Sequence, residues 1–297
     1  MRVKADLLLF FVTILWGTAF VTMRYAAGHG TIFFLNGSRF LLGGLLLFPL
    51  TRFKAVISRK SLPFVGLAGL ALFAAAAFQQ AGLASTTAGN GGFITSLYVV
   101  IVPFILWVFW RERPSPVTGL ALLLAIGGGF LLSTAGSFRI NAGDLLIFIG
   151  AFFWAAHVVI VGRSQGRVKA LPFAQGQYLI CGTLNLLTAV FVERPARAEI
   201  LYVTPAILYT AVFSIAIGFT LQVIGQKYTP ATDAALILCL ESVFSAFFGR
   251  LFLHEELLPV QLAGCGIILL AVILVQVNNG RISHKEKTVG DQPQEME

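Results

Sequence analysis

The sequence predicts an all-α integral membrane protein with ten transmembrane helices in two inverted five-helix repeats. Of its 297 residues, 57% are hydrophobic and 11% are charged, so a soluble fold would have too few charges to cover its surface. Apolar windows of about 20 residues, the length that crosses about 30 Å of hydrocarbon, recur between short polar breaks. The second half of the sequence also repeats the first. Because each half holds five helices, an odd number, the second copy must run through the membrane in the opposite direction.

The apolar runs predict helices rather than the strands of a membrane barrel, because they lack a polar–apolar alternation. The first repeat covers residues 1–137 and the second covers 138–277. The remaining residues, 278–297, are charged and lack an apolar period, so we expect a disordered tail. The ten expected helices span residues 5–26, 32–50, 62–83, 88–109, 116–134, 142–162, 172–192, 205–226, 231–253 and 258–276.

The repeat is visible by direct alignment. Residues 6–28 align without gaps on residues 144–166 with seven identities in 23 positions, and Trp16 falls on Trp154. Shared hydropathy alone would not hold tryptophan, glutamine and glutamate in one register, which indicates duplication. Further along, a constant offset of 143 matches Gln79 with Gln222, Gly82 with Gly225, Thr86 with Thr229 and Glu112 with Glu255.

The basic residues predict that both termini are cytoplasmic. With that orientation, 15 of the 21 basic residues lie inside, five lie outside and Arg39 lies within a helix. The loop after the second helix is basic, whereas its counterpart after the seventh helix carries no net charge, as expected for loops on opposite faces. The net charge of +8 therefore reflects topology and anionic lipid headgroups. It does not indicate nucleic-acid binding, because the charges are scattered over short loops.

Sequence signals of an enzyme are missing. The chain has no glycine-rich phosphate loop, no histidines at metal-ligand spacing and no Ser/His/Asp set, so we expect no catalytic residue, metal or cofactor. The three cysteines fall within expected helices and are interpreted as small packing residues. The many glycines are typical of close helix packing in lipid. Function is therefore sought among polar groups deep in the membrane.

Glu241 is the leading candidate, because it lies near the middle of the ninth helix, where a charge is costly. Its repeat counterpart is Tyr98, so two polar groups meet the pseudo-twofold axis at similar depth. One interpretation is structural, with Glu241 held neutral or hydrogen-bonded to a neighbouring helix. The other is a site role in recognising a substrate amine or exchanging a proton.

Aromatic residues at the same depth suggest the walls of a cavity. Trp16 and Trp154 lie at the middle of their helices, away from the headgroup region where tryptophan usually anchors a helix. His157 lies one turn after Trp154 and shares its face. Plain helix packing is the alternative for each tryptophan. For His157 the alternatives are a hydrogen bond to a neighbour and a proton relay.

Three further polar residues have two interpretations each, and two glutamates have one. Arg39 either snorkels outward or pairs with an acid or a substrate carboxylate. Gln79 and Gln222 lie near the ends of their helices, and they either flank the entry and exit of a path or tie helices together through amide hydrogen bonds. Glu112 and Glu255 lie at matching helix ends, so we interpret them as interfacial helix-end residues.

Several short segments together carry a resemblance to a known family. They are Asn90-Gly91-Gly92-Phe93, Pro103, Arg111-Glu112-Arg113, residues 240–244 and His254-Glu255-Glu256. Because these segments occur in this order, the chain resembles EamA-type members of the drug/metabolite transporter superfamily. The resemblance implies a central cavity lined mainly by helices 1, 3, 4, 6, 8 and 9. These helices carry Trp16, Tyr98, Trp154, His157 and Glu241 but not Arg39, whose helix is usually peripheral. Many relatives carry a proline where this chain has Ser242, so the sequence does not decide whether the ninth helix is kinked there.

The resemblance implies export or exchange of a small metabolite in a bacterial inner membrane, by alternating access around a midplane site. We expect a small-molecule substrate, such as an amino acid or related amphipathic compound, with protons as a candidate coupling ion. The protein would work among membrane lipids as a monomer or dimer. Hinges near Gly89, Gly91 and Gly92 would gate the site. The alternatives are a channel, an intramembrane enzyme and an exchanger of phosphorylated metabolites, which would need two or more embedded Lys or Arg residues.

Overall fold

The computed structural model describes residues 1–28, 31–51, 61–134 and 141–290, and within these ranges it contains helices and no strand. The predicted all-α fold is confirmed. We number the helices by their place in the two repeats, and three of the ten are interrupted. They are α1 (Arg2–Ala26), α2 (Ile32–Thr51), α3 (Leu62–Leu83), α4 (Ala88–Trp110), α5 (Pro116–Thr134), α6 (Ala142–Ser164), α7 (Ala170–Val192), α8 (Arg197–Gly225), α9 (Ala231–Leu253) and α10 (Pro259–Gly290).

Nine of the ten helices in the described ranges are long and apolar enough to cross a membrane. The tenth, α7, has 23 residues, which is sufficient length. Its hydropathy is lowered by three amide side chains, Gln175, Gln177 and Asn185, all of which are fully buried. Two of them bind other helices, since Gln175 Nε2 donates to Gly44 O at 3.1 Å and Gln177 Oε1 contacts His157. Amide groups therefore hold α7 within the helical bundle.

Two helices extend beyond the apolar windows that predicted them. α8 begins at Arg197 rather than at residue 205, because Glu199 accepts a hydrogen bond from Ala196 N at 2.7 Å and caps the polar first turn. α10 continues to Gly290, beyond residue 276, where the apolar window predicted its end. The physical reason is that residues 281–287, although mostly polar, contain no proline or glycine to end the helix. Residues 291–297 lie outside the described ranges.

The helix contacts come in repeat-related pairs. α1 packs against α8 and α9, and its counterpart α6 packs against α3 and α4. The counterparts α2 and α7 pack directly on each other, as do α5 and α10. Six helices, α1, α3, α4, α6, α8 and α9, therefore surround the centre, where the two halves meet.

The central helices α4 and α9 are interrupted at matching positions. α4 breaks at Leu97 and α9 breaks at Cys239–Leu240, so each resumes at a repeat counterpart, Tyr98 or Glu241. The Ser96 hydroxyl lies 3.4 Å from Cys239 O, so the two breaks meet at the interface between the halves. The break of α4 lies after the three glycines that were expected to form the hinge, and those glycines lie within a regular helical segment.

The break in α9 forms without a proline. The Ser242 hydroxyl donates to Cys239 O at 2.7 Å, and Ser242 N donates to the same carbonyl at 3.1 Å, so this serine bonds back across the break. Serine at this position is therefore compatible with a broken helix, which answers the question that the sequence left open.

α4 and α9 also end in the same way. Arg111 and His254, which follow the two helices, are the described non-glycine residues with left-handed backbone, at φ of 58° and 55°. The next residue in each case donates its N–H back into the helix, from Glu112 to Leu106 O at 3.3 Å and from Glu255 to Gly249 O at 3.2 Å. The duplicated sequence thus repeats this backbone turn in detail.

The two halves differ most clearly in α8. Residues Thr210–Phe219 form a π-helical segment, whereas the counterpart helix α3 is a regular α-helix throughout Leu62–Leu83. π-helical turns are rare and are frequent at functional sites. The segment ends at Phe219, which it places at the centre of the bundle.

Candidate functional site

A central cavity lies between the two halves. Its volume is about 40 Å³, enough for roughly three water molecules at the ~10–15 Å³ that each one needs. All eight residues that the sequence singled out border this cavity. Its lining comprises Trp16, Ala19, Phe20, Met23, Arg39, Gln79, Thr95, Tyr98, Trp154, His157, Val158, Ser214, Phe219, Gln222 and Glu241.

Glu241 and Tyr98 enter the cavity from the two helix breaks. Each is the first residue of its resumed helix, and the two side chains are 3% and 2% exposed. The start of a helix favours negative charge, because its N–H groups and its dipole point there. The Tyr98 hydroxyl lies beside the Glu241 carboxyl group and interacts with it. Among the described residues no other group bonds to the hydroxyl or to Glu241 Oε1, and both residues border the cavity.

Phe219 is the centre of the aromatic wall. Its ring lies 4.6 Å from that of Trp16 and 5.6 Å from that of Trp154, with the latter pair stacked at an interplanar angle of 15°. The His157 ring meets Phe219 edge-on at 5.8 Å. Trp16 from the first half and Trp154 from the second half thus contact the same ring, that of Phe219, as expected for the walls of a shared cavity.

The polar atoms of these rings are used unequally. Trp16 Nε1 donates to Ser214 O, in the π-helical segment, at 3.3 Å. Trp154 Nε1 has no partner within the described residues. His157 Nε2 lies 2.9 Å from Gln177 Oε1, while its Nδ1 is likewise unpartnered. His157 is therefore hydrogen-bonded to a neighbouring helix and borders the cavity, while its role as a proton relay stays a prediction.

Arg39 corrects the expectation that its helix is peripheral. The side chain is 3% exposed and borders the cavity, so it does not snorkel outward. Its Nε donates to Asn36 Oδ1 at 3.0 Å, and Asn36 Nδ2 donates in turn to Ala76 O. Within the described part of the chain, no carboxylate lies within ion-pair distance of Arg39. The reason for the correction is that α2 packs against the π-helical segment of α8, which brings Arg39 to the centre.

Gln79 and Gln222 border the same cavity rather than two separate mouths. Gln79 Nε2 donates to the Thr95 hydroxyl at 3.0 Å, and Gln222 Nε2 donates to Gln226 Oε1 at 3.1 Å. Gln222 Oε1 has no partner among the residues that the structure describes. Each amide therefore ties polar groups together, and Gln222 also presents a free acceptor.

Sequence reasoning missed Phe219, Thr95 and Ser214. Phe219 is one of 27 phenylalanines, and its repeat counterpart is Ala76, so neither composition nor symmetry distinguishes it. Thr95 and Ser214 are small polar residues of a kind that is common in membrane helices. The π-helical segment that positions Phe219 and Ser214 has no sequence signal that we can identify.

Two larger hollows, which are related by the repeat, lie at the ends of α4 and α9. The Glu112 vestibule has a volume of about 380 Å³ and is lined by Glu112, Arg163 and residues 226–232, among others. The Glu255 vestibule has a volume of about 550 Å³ and is lined by Arg24, residues 85–87, Gly89 and Glu255, among others. Residues 229–232 correspond to residues 86–89 by the offset of 143, so the vestibules are related by the repeat.

The central cavity is chemically suited to an amphipathic molecule. It combines aromatic surface with an acid, a guanidinium and unpartnered donors and acceptors, which together would fix the orientation of a ligand. Its present volume is too small for an organic metabolite, because ligand pockets usually measure about 300–1,000 Å³. A molecule of that size would fit only if the cavity widened.

Comparison with known proteins supports the repeat and the fold. The model of the EamA-like transporter family matches residues 3–134 and, separately, residues 141–277. An uncharacterized transporter of Archaeoglobus fulgidus is 33% identical over 279 residues, covering 93% of this chain and 87% of that protein. A solved crystal structure of a protein superposes with a TM-score of 0.78, at 20% identity, over 95% of this chain and 99% of that chain.

A more distant relative has a named substrate. The S-adenosylmethionine/S-adenosylhomocysteine transporter of Chlamydia muridarum is 23% identical over 291 residues, and the match covers 91% of each protein. Like the archaeal relative, it aligns along nearly the whole chain, so the similarity includes both repeats.

Proposed function

This chain belongs to the EamA-like transporter family, and from that premise we propose that it moves a small amphipathic metabolite, such as an amino acid, across the membrane by alternating access. Its resemblance to EamA-type members of the drug/metabolite transporter superfamily is confirmed. The family and the names of its relatives indicate a transporter rather than an enzyme.

The central cavity carries the proposal. It lies between the halves, is bordered by all eight predicted residues and holds several unpartnered polar atoms. An unpartnered buried donor or acceptor is costly, so these atoms favour a ligand that bonds to them. Repeat-related vestibules at the two ends of the bundle supply a route to either face. The moving units are the two halves, residues 1–137 and 138–277.

Each group in the cavity has a role in binding an amino acid. Glu241 receives the ammonium group, Arg39 receives the carboxylate, and Trp16, Trp154 and Phe219 contact the side chain. The relative named as an S-adenosylmethionine transporter supports this class, because that compound ends in an α-amino acid. Tyr98, His157, Gln79 and Gln222 complete the polar lining, and a proton carried by Glu241 is the proposed coupling ion.

We place the protein in a bacterial inner membrane with both termini in the cytoplasm and with export as the net direction. The excess of basic residues on one set of loops supports this orientation. A phosphorylated cargo is disfavoured, because Arg39 is the one basic residue among the described lining residues of the cavity. A channel is disfavoured because the cavity is small and bordered by large aromatic rings.

The test is transport into liposomes. Purified protein is reconstituted, and uptake of radiolabelled amino acids and of matched amines without a carboxylate is measured. We expect amino acids to be taken up above the level of protein-free liposomes and Glu241→Gln to remove that uptake. Glu199→Gln is the control, because this glutamate lies outside the central cavity and both vestibules and glutamine can keep its capping bond at the start of α8. Uptake by Glu241→Gln at the wild-type rate would contradict the role of Glu241, and single-channel currents would favour the channel.

A further inference from the structure

The two glutamates that follow α4 and α9 have the same backbone setting but different partners. Glu255 reaches across to the first half, where its Oε1 accepts from Ala88 N at 2.8 Å and its Oε2 accepts from Gly89 N at 3.4 Å. These N–H groups are the first of α4 and have no acceptor within the helix. The carboxylate at the end of α9 thus caps the start of α4 and ties the two halves together.

Glu112 does not make the corresponding contact. Its Oε1 accepts from Arg163 Nη2 at 2.6 Å, and the Arg163 guanidinium also lies over the Trp110 ring at 4.3 Å. By the offset of 143, the N–H groups equivalent to those of Ala88 and Gly89 belong to Ala231 and Thr232, which start α9. Within the described ranges, no side chain accepts from them.

The missing contact has its components in place. Glu112, Ala231 and Thr232 all line the Glu112 vestibule, as Glu255 and Gly89 line the Glu255 vestibule. A carboxylate is favoured at a helix N-terminus by the open N–H groups and by the helix dipole. Each end of the bundle therefore holds a glutamate and a helix start, and in this structure one of the two caps is formed.

The packing of α4 on α9 is also tighter at the Glu255 end than at the Glu112 end. At the capped end, a Cβ atom on Gly89 would lie 3.2 Å from Ala246 Cα, and one on Gly92 would lie 3.4 Å from Ser242 Cα. The first segment of α4 thus lies in close contact with the second segment of α9. At the other end, Thr232 occupies the position equivalent to Gly89. There the second segment of α4 and the first segment of α9 are in less extensive contact.

We propose that Glu112 and Glu255 are alternating gate residues of the transport cycle. In the state of this structure Glu255 caps α4 and Glu112 is held by Arg163. In the opposite-facing state Glu112 leaves Arg163 and caps α9, while Glu255 releases α4. Arg24 lines the Glu255 vestibule and is the basic group that faces the released Glu255. This inference rests on the alternating access of the proposed function, but it does not depend on the substrate.

The experiment measures which vestibule is open. Thr86 and Thr229 are repeat counterparts, line the two vestibules and are 6% and 2% exposed. Thr86→Cys and Thr229→Cys are placed singly in protein whose three native cysteines are replaced by alanine. The rates of labelling by a membrane-impermeant thiol reagent are then compared as the ratio of Cys at 86 to Cys at 229.

Three substitutions should move this ratio in defined directions. Glu255→Gln weakens the formed cap and should raise the ratio by at least about threefold, as expected for loss of a helix cap. Arg163→Gln frees Glu112 to cap α9 and should also raise the ratio, although this substitution leaves Glu255 itself unchanged. Glu112→Gln weakens the alternative cap and should lower the ratio. A merely structural role would not move the ratio in opposite directions.

Glu193→Gln is the matched control. Glu193 follows α7 and caps the start of α2 across the halves, accepting from Phe33 N at 2.7 Å and Phe34 N at 2.8 Å, but it lines neither vestibule. It should leave the ratio unchanged. An equal shift in Glu193→Gln, or shifts of the same sign in Glu112→Gln and Glu255→Gln, would overturn the proposal. If Glu255→Gln does not fold, Arg163→Gln carries the same test.

The outcomes separate this inference from the proposed function. If substrate changes the ratio in wild-type protein while the three variants leave it unchanged, alternating access stands and the gate assignment falls. If the variants shift the ratio as expected but no amino acid is transported, the gate stands and the proposed substrate falls.

Discussion

The two halves of the molecule share their helix breaks and helix-end turns but differ in the side chains at these positions. α4 and α9 break at equivalent positions and end in the same left-handed turn. After the break, however, the first half presents Tyr98 and the second presents Glu241. The difference teaches that duplication supplies a symmetric scaffold, while single substitutions near the axis make the cavity polar in a directional way. A directional cavity can hold an asymmetric substrate in one orientation.

The π-helical segment of α8 is the second difference. It supplies the Ser214 carbonyl that binds Trp16, whereas Trp154, the counterpart of Trp16, has no hydrogen-bond partner for its N–H within the described structure. One tryptophan N–H is therefore bonded to the protein, and the other is unpartnered among the described residues. The predictions below test whether these inequalities between the halves matter for transport.

The largest effect is expected from the pair at the helix breaks. Glu241→Gln should lower uptake in liposomes by at least about 100-fold, which corresponds to about 2.7 kcal/mol and is within the range of a charged hydrogen bond. Tyr98→Phe should lower it less than about 10-fold, because it removes a neutral group. Initial uptake rates at equal protein content give the comparison. Equal losses in both variants would mean that the halves contribute equally.

The next effect concerns the close contact at the π-helical segment. A Cβ atom on Gly218 would lie 2.8 Å from Trp16 Nε1, whereas the counterpart in α3 is already alanine, Ala75. Gly218→Ala should displace Trp16, lower stability by about 1–3 kcal/mol and reduce transport about tenfold. Ala75→Gly is the control and should leave transport near the wild-type rate. Wild-type stability in Gly218→Ala, measured by thermal unfolding in detergent, would show that this contact is not tight.

A smaller effect should distinguish the two tryptophans. Trp16→Phe and Trp154→Phe remove the same volume, but only Trp16 loses a hydrogen bond to the protein. Trp16→Phe should therefore be less stable than Trp154→Phe by about 1 kcal/mol. Trp154→Phe should instead lose most of the thermal stabilisation that substrate gives. The reverse ranking would contradict the assignment of Trp154 to the ligand.

The smallest effect concerns the start of α6, which has a capping box that its counterpart α1 lacks. Asn141 Oδ1 accepts from Asp144 N at 2.9 Å, and Asp144 Oδ2 accepts from Asn141 N at 3.0 Å. Asn141→Ala should cost about 1 kcal/mol of stability. Uptake per folded molecule should change less than in Gly218→Ala, because Asn141 lines the Glu255 vestibule but not the central cavity. A parallel loss of uptake would connect this end of α6 to the transport cycle.

Much of the fold could be predicted from the sequence, because lipid imposes strong constraints on composition and helix length. The starts of α3, α4, α5 and α9 were predicted to the residue, since polar loops interrupt the apolar runs there. The start of α8 and the end of α10 were not, because both lie in polar sequence where the apolar signal is lost. Helix breaks at Leu97 and Leu240 also carry no proline or glycine to announce them.

The candidate site was predictable as far as its residues are unusual for lipid. Buried charges and mid-membrane tryptophans are rare, so Glu241, Trp16 and Trp154 could be singled out. Arg39 was expected at the periphery from the family resemblance, whereas α2 packs against the π-helical segment and Arg39 borders the cavity. Phe219 could not be found, since an apolar residue in an apolar helix has no distinguishing chemistry. Whether these residues bind substrate stays a prediction.

The most direct test of the account is a pair of distances across the two vestibules. Spin labels at the exposed positions Ser85 and Glu256 span the Glu255 vestibule, and labels at their repeat counterparts Tyr228 and Arg113 span the Glu112 end. Double electron–electron resonance would measure both pairs with and without a transported amino acid. The account predicts that one distance lengthens as the other shortens. Two distances that stay fixed, or that lengthen together, would contradict alternating access of two inverted halves.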